Sequence, residues 1–134
     1  MANVVNTQIL VDGARNAVVK ITGVLDTGNV SSTVVVDPAS FTPKPTSFRI
    51  DHLDYSISDP LEVRLQWDAS TPIDILPIAG RGRMSFWNFG GLQDNGGAGV
   101  TGKINLLTSG YNSTTLGTSP LVFSVVLEMV KIGV

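Results

Sequence analysis

The stretch "LEVRLQWD", residues 61–68, alternates without a break: Leu61, Val63, Leu65 and Trp67 on one side, Glu62, Arg64, Gln66 and Asp68 on the other. Side chains of an extended chain point alternately to two faces, so a two-residue period with one apolar side marks a half-buried antiparallel strand. The same period runs through most of the chain, broken by turns rich in glycine and proline. No stretch keeps a helical period. The one rival, "VVLEMVKI", opens on two β-branched residues, which disfavour a helix. Repeated short strands with such turns predict an all-β protein, an antiparallel β-sandwich or jelly-roll-like barrel with at most one short helical turn. The chain has 134 residues, the size of one domain covering 1–134, without internal repeat or linker.

Individual elements follow from local pattern. "NVVNTQILV" and "NAVVKITGVLD" flank "DGAR", where Asp12-Gly13 is expected to supply the positive φ of a tight turn. "STVVVD" is a further strand. "PASFTPKPTS" holds three prolines, which lack an amide donor, and reads as a loop or an edge. In "SFRIDHLDYSI" the phase slips: Phe48 and Ile50 fall on one face, Leu53, Tyr55 and Ile57 on the other, and a bulge near Asp51-His52 would reconcile them. Asp59-Pro60 makes a turn. "PIDILPI", "RMSFWNF" and "KINLLTS" are strands, and "YNSTTLGTSP" is a turn. Residues 90–102, "GGLQDNGGAGVTG", with six glycines, read as a flexible loop or extended arm. "LVFSVVLEMVKIGV" is apolar on both faces apart from Ser124 and Glu128, so it is central in a sheet or covered at an interface. Trp67 and its strand mates should share the core with Leu121, Phe123, Val125 and Leu127.

Little in the chain looks like chemistry, and no catalytic residue, metal ligand or cofactor is assigned. The absence of cysteine excludes disulfide scaffolds, Cys-based zinc sites and Cys nucleophiles. The one histidine, His52 in "DHLDY", shares a strand face with Asp54, but zinc wants three or four ligands. A nucleophile–base pair would have to join His52 to some Ser or Thr, and nothing resembles a nucleophile elbow. The glycine stretch lacks the Gly-Lys-Ser/Thr ending of a phosphate loop, and "DNGG" lacks EF-hand spacing. A net charge of −2 argues against nucleic-acid binding, which needs a concentrated basic face. No apolar run approaches the roughly 18 residues of a membrane span, and "MANVVNTQIL" does not read as a signal peptide.

Recognition is the remaining class. Charged residues make up only 15 % of the chain, against about 25 % in ordinary soluble domains. Either some surface is covered by other protein, or a Thr/Ser/Asn-rich surface replaces the charge. Phe86 and Trp87 would point to opposite faces of one strand, so the second face is expected to be covered by a neighbouring layer or subunit. Candidate subunit or partner contacts are Phe41, Pro43 and Pro45 in the proline loop, Phe86, Trp87 and Phe89, then Leu92, Asp94 and Asn95 in the glycine stretch, and Val126 and Val130 on the last strand. Tyr55, Trp67 and Trp87 could alternatively stack on sugar rings, although the phase of Trp67 makes it core.

The opening "MANVVNTQILVDGARNAVVKITGVLD", the cysteine-free, Thr/Ser/Asn/Gly-rich composition and the final strand "LVFSVVLEMVKIGV" resemble the small β-rich virion proteins of tailed bacteriophages, especially the head decoration or cement proteins. That resemblance implies a structural protein without enzymatic activity, a homo-oligomer, most often a trimer, made in the host cytoplasm. It would bind the major capsid protein on the outer capsid surface and stabilise the shell. Many such proteins carry a long disordered N-terminal arm, whereas here the N-terminus reads as strand almost at once. A carbohydrate-binding module of a virion fibre, or a tail or connector subunit, are the alternatives.

Overall fold

The computed structural model describes residues 3–111 and 121–133. They form nine strands: β1 (Val4–Asp12), β2 (Asn16–Leu25), β3 (Thr33–Val36), β4 (Ser47–Ile57), β5 (Glu62–Trp67), β6 (Ile73–Ile78), β7 (Arg81–Ser85), β8 (Ile104–Ser109) and β9 (Leu121–Ile132). All pairings are antiparallel. They build a five-stranded sheet in the order β1-β2-β9-β4-β7 and a four-stranded sheet in the order β3-β8-β5-β6. The two sheets pack as a sandwich that stays open at both sides, not as a closed barrel. Two single 3-10 turns, Pro38–Ser40 and Trp87–Phe89, exceed the one helical turn expected. The segment "YNSTTLGTSP" lies, from residue 112 on, outside the described residues.

The alternating residues meet where their period puts them. Leu61, Val63, Leu65 and Trp67 are at most 2 % exposed, and Leu121, Phe123, Val125 and Leu127 at most 3 %. β9 is the central strand of its sheet, between β2 and β4. Its second face is the sheet's outer surface, where Val126 and Val130 are half-buried and Val122 is exposed. The phase slip in β4 is a bulge between Ile50 and His52 against β9. It turns Phe48, Ile50, Leu53 and Ile57 all into the core, because one extra residue restores the facing that the sequence loses.

Three local expectations are corrected. Gly13 has no positive φ; the β1–β2 connection spans three residues and closes through the Gly13 amide donating to the Asn16 carbonyl at 2.9 Å. "RMSFWNF" is not one strand. β7 ends at Ser85, and the chain then winds into the 3-10 turn, stopped by Gly90 at φ 92°. A left-handed residue is cheap only for glycine, and here it lets the Gly90 amide reach the Trp87 carbonyl at 3.2 Å. Residues 90–102 are not a free arm. Leu92 and Ile50 exchange backbone hydrogen bonds at 2.8 and 3.0 Å, and the Ser70 amide donates to the Ala98 carbonyl at 3.0 Å.

Candidate functional site

One end of the sandwich gathers the segments with most recognition potential. The proline loop 37–46 and the glycine loop 90–103 meet there: a Cβ on Gly102 would run into the Thr46 carbonyl and the Pro38 ring. The Thr46 amide is tied to the Ile132 carbonyl at 2.8 Å. Asp68, just past β5, takes hydrogen bonds from the Thr101 hydroxyl at 2.7 Å and the Asn105 amide at 3.0 Å. Those bonds, Thr101 first, hold the Asp68 carboxyl below its ordinary value. The aromatic turn joins the same end through Gly90.

Within this end, the predicted contacts separate. Phe41 is 4 % exposed and stacks edge-on against Phe48 at 5.0 Å between ring centres. Pro45 is buried as well. Burial takes both off the surface and makes them part of the loop's apolar seat. Pro43 is exposed, and so is Asn95, while Phe86, Leu92 and Asp94 are half-buried. Asp94 folds its loop by accepting the Gly96 amide at 2.9 Å; its other oxygen is buried without a partner. Trp87 and Phe89 are 61 % and 66 % exposed, so the aromatic turn is an apolar projection and not a covered face. Val126 and Val130 lie apart from it on the outer face of the five-stranded sheet.

Lys131 is a functional residue that the sequence reading did not single out. Its ammonium is buried at the base of this end, bonded to Asp12 at 2.6 Å and to the Pro43 carbonyl at 3.1 Å, and 5.6 Å from the Phe41 ring centre. The only signal is a lysine in phase with buried Leu127 and Met129. The Lys131 hydrogen bond holds the Asp12 carboxyl below its usual range, outweighing the opposing effect of burial. A depressed folded value means the stabilisation is complete above the unfolded value of about 3.9 and is lost as pH falls through the lower folded one. Thermal melts from roughly pH 5 to pH 2 should therefore show an acid loss of stability that is shallower in Asp12→Asn. Equal pH slopes would contradict this linkage.

The described residues contain one nucleophile–base contact. His52 Nδ1 and Ser85 Oγ are 2.9 Å apart on the outer sheet face, with Glu128 opposite His52 on β9. Acyl transfer is served by pre-organised donors, backbone or side-chain, aimed at the oxyanion, and the amide after Ser85 is already used, donating to the Asp51 carbonyl at 2.7 Å. Asp51 pairs with Arg49 and Asp54 with Arg83. Among the described residues no three His, Asp or Glu side chains gather to hold a metal.

The sandwich edge away from β7 is open, and it runs up to the proline loop. β1 is an edge strand, exposed on both faces from Asn6 to Asp12. Between it and the edge strand β3 lies a groove of about 430 Å³, lined by Thr7, Ile9, Val34, Val36 and Phe41, with Asp37 and Ser40 at its end. The other edges carry devices that discourage pairing: Asp74 and Pro77 in β6, Arg81 and Arg83 in β7. β1 has only a bulge between Ile9 and Val11 and no charge before Asp12. No protein-family model matches the chain, and no curated protein is significantly similar to it in sequence.

Proposed function

We propose that the chain is a structural virion protein that binds the outside of a preformed phage capsid and stabilises it, acting as a homo-oligomer, most simply a trimer. The observation that supports this reading is the convergence of the loops 37–46 and 90–103 and the aromatic turn at one end of a rigid sandwich. A clamp on a protein lattice needs such an end, held in shape by the core and offering many modest contacts. Multiplied over the copies of an oligomer, weak sites give tight attachment without any chemistry. The exposed part of that end is almost uncharged: Pro43, Asn95 and Val100 project from it, and Lys44 is its one exposed ion in those loops. Co-sedimentation with assembled capsid shells is the test. Val100→Asp puts a charge on a side chain 43 % exposed at the loop tip. It should leave the melting temperature unchanged and weaken attachment about tenfold, the effect of a moderate contact residue. Full attachment of the variant, or no attachment of the parent to any shell, overturns the proposal.

A second reading has an observation of its own. Trp87 projects far enough to stack on a sugar ring, as a carbohydrate module of a virion fibre would require. Glycan-array binding that disappears in Trp87→Ala would favour it over the capsid reading.

A further inference from the structure

The glycine loop holds the one Asn-Gly step of the chain, Asn95-Gly96, and the fold sets a carboxylate against it. An asparagine followed by glycine carries its own electrophile and nucleophile. The glycine backbone nitrogen closes on the side-chain carbonyl carbon, Cγ, to give a five-membered imide. A Cβ on the second residue would shield that nitrogen, and glycine has none. What such a step lacks is a base, because an amide N–H gives up its proton reluctantly. We propose that Asn95 is a self-acting modification site, deamidated with Asp94 as the general base. The chemistry rests on the loop alone; its effect on attachment rests on the decoration reading.

The Gly96 amide donates to Asp94 Oδ1 at 2.9 Å, within the reach required of a base that takes this proton. The other Asp94 oxygen is buried without a partner, so no second bond competes for the carboxylate. Asn95 is exposed, and among the described residues no hydrogen bond fixes its side-chain amide. Cγ is therefore free to swing toward the nitrogen. A Cβ on Gly97 would meet nothing within 4 Å, which leaves room for the ring. The step balances without an outside oxidant or reductant. Asp94 takes the Gly96 proton as the N–Cγ bond forms and returns it to Nδ2; the Cγ–Nδ2 bond then breaks and ammonia leaves. Solvent water opens the imide at either carbonyl, leaving aspartate or isoaspartate at 95.

The rest of the chain shows what withholds this reaction. Asp12-Gly13 is the one Asp-Gly step, open to the same ring closure. Its carboxylate is held by Lys131 and the Thr42 amide, and the Gly13 amide donates to the Asn16 carbonyl. Asn3, Asn29 and Asn105 have bonded side chains and precede Val, Val and Leu. At residue 95 the product matters for binding. Aspartate adds a charge to an end that is almost uncharged, and isoaspartate lengthens the path from Asp94 to Gly96 by one carbon, which breaks the turn. The Ser70–Ala98 and Asp68–Thr101 anchors lie beyond that point, so the change stays in the loop and the sandwich keeps its stability.

Incubating the full chain in neutral buffer tests this, with mass spectrometry and proteolytic mapping that separates aspartate from isoaspartate. Conversion at 95 in the folded protein should run at least about tenfold faster than in a synthetic peptide of residues 90–100, where Asp94 is not held. Asp94→Ser should fall to about the peptide rate. A serine hydroxyl still accepts the Gly96 amide, so this variant keeps the turn and loses the base, and its melting temperature reports that it folds. Residue 12 should stay aspartate. A protein no faster than the peptide, an Asp94→Ser rate equal to the parent's, or isoaspartate forming at 12 as fast as at 95 would each overturn the proposal. In co-sedimentation, Asn95→Asp should attach to shells about tenfold more weakly than the parent. The incubation contains no shell, so failed conversion leaves the decoration reading standing. Conversion as expected, with full attachment of Asn95→Asp, would reject the link between this site and capsid binding alone.

Discussion

Trp67→Ala is expected to destabilise the protein by about 3–5 kcal/mol, the range for removing a large buried aromatic. Trp67 is 2 % exposed and closes the β5 row of Leu61, Val63 and Leu65. It stands opposite Ile104 on β8 and Ile73 on β6, so its ring packs at the junction of three strands of the smaller sheet. Removing it leaves a void that the paired backbones on either side cannot close. Asp68, the next residue, anchors Thr101 and Asn105, and a shift of the β5 end would loosen the glycine loop as well. Chemical denaturation with fluorescence or circular dichroism reads the loss; an unchanged midpoint would mean that Trp67 does not face the core.

Gly102→Val is the second large effect, and it links stability to the proposed binding end. Gly102 has φ +81° and is buried, and any Cβ there collides with the Thr46 carbonyl. A left-handed residue with a side chain costs about 1–2 kcal/mol and forced overpacking about 1–3, together about 2–5 kcal/mol. Thr46 is tied to Ile132 through both its amide and its hydroxyl, so the glycine loop has to give way and not the proline loop. The variant should melt lower and lose capsid attachment beyond what its lower stability explains. Melting like the parent would show that the two loops are not locked at this point.

The division between the readable and the unreadable follows range. The β4 bulge and the facing of β5 were legible because each is a matter of phase within a few residues. The strand reading of "RMSFWNF" failed because a 3-10 turn depends on what the Phe86 amide meets, and that is Asp51, far away in the chain. The glycine loop read as an arm because its anchors, Ile50, Asp68 and Ser70, are distant in sequence. Phe41 looked like a surface contact because nothing local announces Phe48 and Lys131 around it.

By itself, the sequence determined an all-β, cysteine-free domain of sandwich or barrel type and the core-facing rows of β5 and β9, since alternation decides which side chains can share a face. Only the tertiary structure decided which faces stay open. Strand order left β1 uncovered at one edge and carried the aromatic turn to the other. Strand order depends on which distant segments pair, and a local two-residue period carries no record of that.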